Sequence, residues 1–311
     1  MINEHLIATL TAQFFNALAV GGIYALIALG YTMVYGIIEL INFAHGDVFM
    51  VGAFVAMTSI VDMGFTGPIT DAAVLAVVLV IAFAVTMPLM GILGVLIERF
   101  AYRPLRNAPR LAPLITDIGV SFILQNLVQI WKGPSPQSFP QIFPFSWRFE
   151  LFGASIPWLS VFIFLVTVVL TVSLQLYVSR SRMGRAMRST AMDREAAQLM
   201  GVNIDTTIAL TFFLGSALAG AAGIVYGLNF GTISFAMGFS AGLKAFTAAV
   251  LGGIGNLTGA VLGGFIIGFI EVATAQLGYQ RWSEAVVFGV LIIVLVFRPS
   301  GLLGQQLGER A

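Results

Sequence analysis

Long apolar segments separated by short polar stretches run through most of this chain. A transmembrane helix needs about 20 mainly apolar residues, and nine segments approach that length, at 10–30, 41–61, 72–97, 111–131, 156–178, 207–228, 233–254, 258–278 and 283–297. The fourth is the weakest, because it contains Asp117, Gln125, Asn126 and Gln129. The pattern predicts an all-α integral membrane protein with nine transmembrane helices, or eight if the first or seventh segment is re-entrant.

Composition narrows the class of protein. Of the 311 residues, 59% are hydrophobic and 9% are charged, whereas roughly a quarter of a soluble domain is charged. The alternation expected of an outer-membrane barrel is absent, and a net charge of +1 argues against a nucleic-acid partner. The chain contains no cysteine, which excludes disulfides and thiolate metal sites.

The positions of the arginines predict the topology. Four lie within 99–110 and five within 180–194, and cytoplasmic loops carry an excess of basic residues. Both segments are therefore predicted to be cytoplasmic, with the N-terminus outside and Arg298 and Arg310 on the cytoplasmic side. Residues 132–157 hold five of the eleven prolines and a run of aromatic residues. We expect them to form an extracytoplasmic loop lying on the membrane surface.

A short sequence motif occurs twice. Residues 34–46 read VYGIIELINFAHG, and residues 225–238 read VYGLNFGTISFAMG. The identical positions are Val34, Tyr35, Gly36, Ile41, Phe43, Ala44 and Gly46, matched by Val225, Tyr226, Gly227, Ile233, Phe235, Ala236 and Gly238. Five predicted spans separate the copies, so their orientations in the membrane should be opposite. This indicates an inverted-topology repeat with halves at 1–131 and 207–298, and substrate sites of such repeats lie where the halves meet.

Polar residues cluster in the first copy, in the stretch INFAHGD. Polar side chains are costly inside a bilayer, so they usually face a cavity or a protein partner. One interpretation is that both copies line a substrate path, and the candidate residues are Asn42, Phe43, His45, Gly46, Asp47, Ser234 and Phe235. The alternative is that Asn or Asp only caps the following helix at the membrane boundary. Both can hold, because a broken helix can be a cap and a site at once.

Residues 179–206 form the most polar stretch between two spans. Within it, Arg194 precedes Glu195-Ala196-Ala197, and Gly201 follows after three further residues. This spacing resembles the cytoplasmic coupling motif of ABC-importer permeases, in which a short helix inserts into a groove on the ATPase. The resemblance implies that Arg194, Glu195, Ala196, Ala197 and Gly201 couple the chain to an ATPase. The alternative is a solvated basic loop that only fixes the topology.

The sequence lacks motifs for nucleotide binding, catalysis or metal binding. GGIGNLTG lacks the Lys-Ser/Thr ending of a nucleotide-binding loop, so ATP is expected to be used by partner subunits. With His5 and His45 as the two histidines, we find no catalytic group and no metal site, and we expect no cofactor on this chain. The chain is therefore predicted not to be an enzyme.

Three stretches carry a family resemblance: residues 30–54, residues 97–126 with the sequence AYRPLR, and the loop DREAAQLMGVNID. They resemble the bacterial branched-chain amino-acid ABC permeases, and the first of the two permease subunits (the H type) most closely. The resemblance runs from about residue 10 to Pro299. It implies a subunit of the bacterial inner membrane, in contact with lipid. It also implies a homologous second permease subunit, two ATP-binding-cassette ATPases and a periplasmic binding protein as partners.

Other functions stay open at this point. A permease for urea, short amides or another small solute is the nearest alternative, because such permeases share the scaffold. A secondary transporter or channel would need coupling-ion carboxylates inside the membrane, and acidic residues are scarce here. Lys244 and Glu271 lie in neighbouring predicted spans, and we expect them to form a structural pair.

Overall fold

The computed structural model describes residues 2–40, 42–106, 108–109 and 111–304. Three residues used in the sequence analysis, Ile41, Arg110 and Arg310, lie outside these ranges. The described part is predominantly helical and so confirms the all-α prediction. The helices are α1 (Ile2–Ile38), α2 (His45–Asp62), α3 (Ala72–Ile97), α4 (Leu111–Lys132), α5 (Trp158–Arg180), α6 (Arg182–Met192), α7 (Arg194–Leu199), α8 (Ile204–Phe230), α9 (Met237–Gly252), α10 (Leu257–Gln276) and α11 (Ser283–Phe297).

Short elements complete the described chain. The π-turn Glu98–Tyr102 and the 3-10 turn Arg103–Leu105 extend α3, and a second 3-10 turn at Gln280–Trp282 precedes α11. Four short strands are present: β1 (Gln137–Ser138), β2 (Arg148–Leu151), β3 (Ala154–Pro157) and β4 (Thr232–Ile233). Strands β2 and β3 form an antiparallel hairpin, and β1 pairs with β4.

Within the described residues, eight helices are long and apolar enough to cross a membrane. Of the nine predicted spans, only the seventh, which contains α9, has no such helix among the described residues. Helix α9 has 16 residues, about 24 Å at a rise of 1.5 Å per residue, and the hydrocarbon core is about 30 Å thick. The seventh predicted span is therefore only partly helical. Non-helical residues 231–236, which include strand β4, precede α9.

The two ends of the bundle differ in character. At the arginine-rich end (Arg99–Arg106 and Arg180–Arg194), Arg194 Nη2 donates a hydrogen bond to the Ile37 carbonyl at 2.9 Å. Arg103 and Arg106 also pair there with Asp205, at the start of α8. At the strand end, β1 pairs with β4 and β3 packs against α1. Helix α1 therefore begins at the strand end and finishes at the arginine-rich end.

Residues 132–157 fold over the strand end of the bundle. Phe139 and Ile142 of this segment are buried, and the Phe139 ring packs closely against Gly227 of α8. Phe145 and Phe152 are exposed. The aromatic run thus divides between the protein core and the surface, which a composition argument could not foresee.

Helices α1, α2 and α8 form the buried centre of the bundle, and α4, α5 and α11 lie at its periphery. The peripheral helices expose large apolar side chains, among them Ile115, Phe122, Leu165 and Ile293. An exposed apolar surface of this extent fits contact with lipid or with another membrane subunit. Close packing at the centre depends on small residues. For example, a Cβ at Gly264 of α10 would lie 2.5 Å from the Ala25 backbone of α1.

Candidate functional site

The first copy of the motif forms a break between α1 and α2. Helix α1 ends at Ile38, and Glu39 takes a left-handed conformation with φ of 55°. The chain then turns, and the amide of His45 donates to the Asn42 carbonyl at 3.2 Å as α2 begins. The predicted cluster of polar residues is therefore the amino end of α2.

Helix α2 begins inside the bundle and not at its surface. The His45 ring lies against Gly30 of α1, which itself packs on Gly215, near the middle of the 27-residue helix α8. Further along, Gly223 of α8 packs on the backbone of Phe49 and Ala53. Helix α2 thus starts beside the middle of α8 and runs parallel to its second half, towards the strand end.

A buried carboxylate from α4 caps the amino end of α2. Asp117 is fully buried, and its two oxygens accept hydrogen bonds from the backbone amides of Phe43 and of Ala44, the latter at 3.1 Å. Tyr102 lies within hydrogen-bonding reach of the same carboxylate. A carboxylate at this position satisfies unpaired amides and interacts favourably with the helix dipole. Asp117 therefore fixes where α2 begins.

A second carboxylate bridges the same two helices. Asp47 of α2 is buried and accepts hydrogen bonds from Ser121 Oγ and from Gln125 Nε2, the latter at 3.0 Å. Asp117, Ser121 and Gln125 are spaced by four residues, so they lie on one face of α4. Two of the polar residues that weakened the prediction of this span, Asp117 and Gln125, thus form its contact with α2. We did not predict this role, although the spacing of four was visible in the sequence.

The second copy of the motif leads to the amino end of α9, and the two amino ends meet. A Cβ at Gly238 would lie 2.7 Å from Asp47 Oδ1 and 2.8 Å from the Gly46 carbonyl oxygen. A Cβ at Gly242, one turn on, would lie 2.9 Å from Gly46 Cα. Gly46 and Gly238 are equivalent positions of the repeated motif, so the same residue of each copy faces the other.

The remaining candidate residues surround this meeting point in different ways. Phe43 packs near Phe246 of α9, with ring centroids 6.2 Å apart, and His45 packs on Tyr31 at 4.7 Å. Asn42 and His45 are buried, and Asn42 Oδ1 and both His45 ring nitrogens make no hydrogen bond of ordinary geometry. Ser234 and Phe235 are half-buried. Ser234 contributes its carbonyl, which accepts from the Met237 amide at 3.2 Å.

The two amino ends are not chemically equivalent. Asp117 accepts from the amides of Phe43 and Ala44 just before α2, whereas among the described residues no side-chain hydrogen bond caps the amino end of α9. Helix α2 is largely buried, whereas α9 exposes Phe239 and Ser240. Polar chemistry is concentrated on the first copy, as the sequence indicated, and the second copy contributes the glycines that allow close approach.

Helix contacts around the meeting point follow a regular scheme. The most extensive contacts join α1 to α10 and α8 to α3. The motif makes α1 equivalent to α8, α2 to α9 and α3 to α10. Under this equivalence the α1–α10 contact of the first helix corresponds to the α8–α3 contact of its counterpart. The α1–α9 and α8–α2 contacts correspond to each other in the same way.

The predicted pair of Lys244 and Glu271 is confirmed. Lys244 Nζ lies 2.8 Å from Glu271 Oε1, and the Tyr24 hydroxyl donates to the other carboxylate oxygen at 2.6 Å. Glu284 is more distant, at 4.0 Å from the same ammonium. The pair joins α9 to α10, and Tyr24 ties it to α1.

Replacing Lys244 by Ala is expected to lower the yield of folded protein. The substitution leaves Glu271 without its cation, and breaking a buried pair costs about 3–5 kcal/mol, less where water reaches it as it does here. Yield and melting temperature after purification in detergent measure the effect. The double variant Lys244→Met/Glu271→Gln, which leaves no unpaired charge, should recover much of the loss. Normal yield with abolished transport would instead place Lys244 in the substrate path.

The proposed coupling segment consists of α6 and α7. Asp193 caps α7 by accepting from the Ala196 amide at 2.9 Å. Gly201 ends it with φ of 85°, and the Val202 amide donates to the Ala197 carbonyl. This is the glycine-terminated arrangement that favours a sharp helix end. The EAA-x-x-x-G spacing is thus explained by a two-turn helix with both ends fixed.

The coupling candidates face in different directions. Glu195 and Ala196 are exposed, Ala197 is buried, and Arg194 reaches back to the Ile37 carbonyl at the end of α1. Met192, Leu199 and Met200 are each more than 80% exposed. Large apolar side chains on an otherwise polar segment mark a surface for a protein partner. Arg194 therefore anchors the segment, while Glu195 and its apolar neighbours are free to meet another molecule.

Among the described residues, no three His, Asp or Glu side chains are grouped so that they could hold a metal ion. The site is thus made of helix ends, buried carboxylates with hydrogen-bond partners, and aromatic rings.

Comparison with known proteins identifies similar chains along the full length. The family described as "Branched-chain amino acid transport system / permease component" matches residues 13–295. The high-affinity branched-chain amino acid transport system permease protein BraD of Pseudomonas aeruginosa is 45% identical over 301 residues, 96% of this chain and 97% of that protein. Permease proteins named LivH from Escherichia coli K12 and Salmonella typhimurium are 44% and 43% identical, over 96% of both chains. No solved structure matches at a significant level.

Proposed function

The chain belongs to the branched-chain amino acid transport permease family, and we propose that it moves leucine, isoleucine, valine or closely related amino acids inward across the bacterial cytoplasmic membrane. The observation that carries this proposal is the 45% identity along 96% of the chain to a permease named for these substrates. We place the arginine-rich end in the cytoplasm, because basic residues concentrate on that side of membranes.

The substrate path, in this proposal, passes the point where the amino ends of α2 and α9 meet. Helices that begin inside the bundle, with their amino ends at the site, are typical of transporters built from inverted repeats. Two observations support a repeat with α1–α4 in one half and α8–α11 in the other. Gly46 contacts its counterpart Gly238, and equivalent helices of the two halves make equivalent contacts. Few uncompensated charges line this region, because Asp47 and Asp117 are both hydrogen-bonded. Such a path suits a zwitterion with an apolar side chain.

Energy for transport comes, we propose, from two ATPase subunits that contact α7 and its apolar neighbours. Glu195 is exposed without a partner in the described part of the chain, whereas Arg194 links α7 to the end of α1. Helix α1 leads through residues 39–44 to the amino end of α2. A displacement of α7 can therefore reach the meeting point through a single continuous stretch of backbone. The chain itself binds no nucleotide and pairs with a second, homologous permease, while a periplasmic protein delivers the substrate.

Uptake of radiolabelled leucine tests the substrate. Cells lacking this gene, with and without a restoring copy, are compared in the presence of excess unlabelled valine or excess urea. We expect the restoring copy to return uptake, and valine but not urea to suppress it. Suppression by urea, or no dependence on the gene, would contradict the proposed substrate and favour another small solute.

A further inference from the structure

A second candidate binding site lies at the arginine-rich end, apart from the meeting point of α2 and α9. It is an open cleft of about 710 Å³ between the end of α1, the end of α5, one face of α6 and the turn between α9 and α10. None of the candidate path residues lines it. Its volume is ample for a single amino acid.

Opposite charges line this cleft. Glu39 contributes a carboxylate that forms no ion pair within the described residues, and Arg188 of α6 contributes a guanidinium. Arg188 donates one hydrogen bond to the Val178 carbonyl, which fixes the guanidinium at the wall of the cleft. An unpaired carboxylate and an anchored guanidinium are the groups that recognise an ammonium and a carboxylate, respectively.

A buried hydroxyl in the same wall lacks a partner. Thr32 is 2% exposed, and its Oγ1 has no hydrogen bond in the described structure although the residue lines the cleft. Buried polar groups are almost always hydrogen-bonded, so an unpaired one calls for an explanation. The Thr32 oxygen has almost no accessible surface, so it belongs to the buried wall and does not bind a ligand directly.

Apolar side chains form the rest of the lining: Met33, Ile37, Val178, Met187, Ile254 and Leu257. The cleft thus combines one group of each charge and an apolar wall. This set fits a zwitterion that carries an aliphatic side chain better than it fits an ion or a nucleotide.

We propose that the cleft binds a free aliphatic amino acid from the cytoplasm and that its occupancy slows import. This inference rests on the proposed function for the identity of the ligand and for the side of the membrane. The ligand would bridge Glu39, just after α1, to Arg188 of α6. Helix α6 leads directly into α7, so a bridge of this kind holds the coupling segment on α1. A ligand that prefers the bridged arrangement opposes any motion that separates the two.

Direct binding tests the site without transport. The full transporter is purified in detergent without its binding protein, and binding of radiolabelled leucine is measured by equilibrium dialysis. Loss of one charge-assisted hydrogen bond should weaken binding about ten-fold in Glu39→Gln and in Arg188→Ala. Arg185→Ala is the matched control, because Arg185 lies on α6 but does not line the cleft. No binding by the unmodified transporter, or equal binding by all variants, would overturn the proposal.

Transport in proteoliposomes tests the effect on import. Initial leucine uptake is compared in vesicles with and without unlabelled leucine on the cytoplasmic side. We expect internal leucine to slow uptake in the unmodified transporter and in Arg185→Ala, and about ten-fold more to be needed in Glu39→Gln. Uptake that is insensitive to internal leucine would refute the regulatory role. If vesicles that contain no internal leucine also fail to take up leucine, the result counts against the proposed function instead. The dialysis result would still decide whether the cleft binds leucine.

Discussion

Replacing Asp117 by Ala should abolish leucine uptake and lower the melting temperature of the purified chain. Asp117 is fully buried and satisfies two backbone amides at the amino end of α2. Leaving a buried donor unsatisfied costs about 1–3 kcal/mol, so losing two predicts a destabilisation of about 2–6 kcal/mol. Uptake is normalised to the amount of chain in the membrane, and melting is followed in detergent.

Two further variants separate stability from position. Asp117→Asn keeps the shape but can offer only one acceptor oxygen, so its loss of stability should be smaller while α2 is still mispositioned and uptake remains low. Asn126→Leu is the control on the same helix, because the Asn126 side chain bonds only within α4, to the Phe122 carbonyl. Normal uptake by Asp117→Asn would show that the cap is not needed for transport.

The second large effect is expected from Glu195→Arg, which should leave insertion intact and prevent binding of the ATPase. Glu195 is exposed in the first turn of α7 and makes no ion pair within the described residues. The fold loses only the favourable interaction of an acidic side chain with the amino end of α7, about 0.3–1 kcal/mol. The surface, however, changes by two charges beside a segment already rich in arginine. Like charges brought together at an interface cost several kcal/mol, so co-purification of the ATPase should fall at least about ten-fold.

Glu150→Arg provides the matched control for that experiment. Glu150 is also an exposed acidic residue, but it lies on β2 at the opposite end of the bundle. The Glu150→Arg substitution should reduce neither the amount of bound ATPase nor leucine-dependent ATP hydrolysis. If the Glu195 variant retains its ATPase in the same pull-down, Glu195 is not part of the interface.

The sequence was sufficient to predict the long helices but not most of the contacts between them. Apolar length predicted every long helix, and the positions of Lys244 and Glu271 predicted their pairing across neighbouring spans. A re-entrant alternative stayed open for the seventh segment, but the position at which α9 begins within it was not predicted. Hydropathy measures the length of an apolar segment and does not show where the helix within it begins.

Partners distant in sequence were the hardest to foresee. Asp117 only weakened the prediction of its own span, although its carboxylate binds backbone amides more than 70 residues earlier in the chain. Likewise, Arg194 was grouped with the ATPase-coupling residues, but its hydrogen bond is to Ile37 of α1. Backbone acceptors and donors carry no signature in the sequence, so side chains that bind them cannot be matched in advance.

The two copies of the motif also show what a repeat can and cannot predict. The motif has glycine at its last position in both copies, Gly46 and Gly238, and the structure shows that these two glycines face each other. Ser234 and Phe235, chosen as counterparts of the first copy, are half-buried beside this contact rather than at its centre. Close approach of backbones, and not polar chemistry, is what the two copies have in common.

Accessibility of the meeting point during transport tests the central claim most directly. The chain has no cysteine, so Ser234→Cys introduces a single thiol beside the amino end of α9. We expect a membrane-impermeant methanethiosulfonate reagent, added during ATP-driven uptake, to inactivate this variant, and excess leucine to slow the inactivation. Phe122→Cys, on an exposed apolar face of α4, should keep its uptake under the same treatment. Full uptake after complete modification of the Ser234→Cys thiol would contradict a substrate path through the meeting point of α2 and α9.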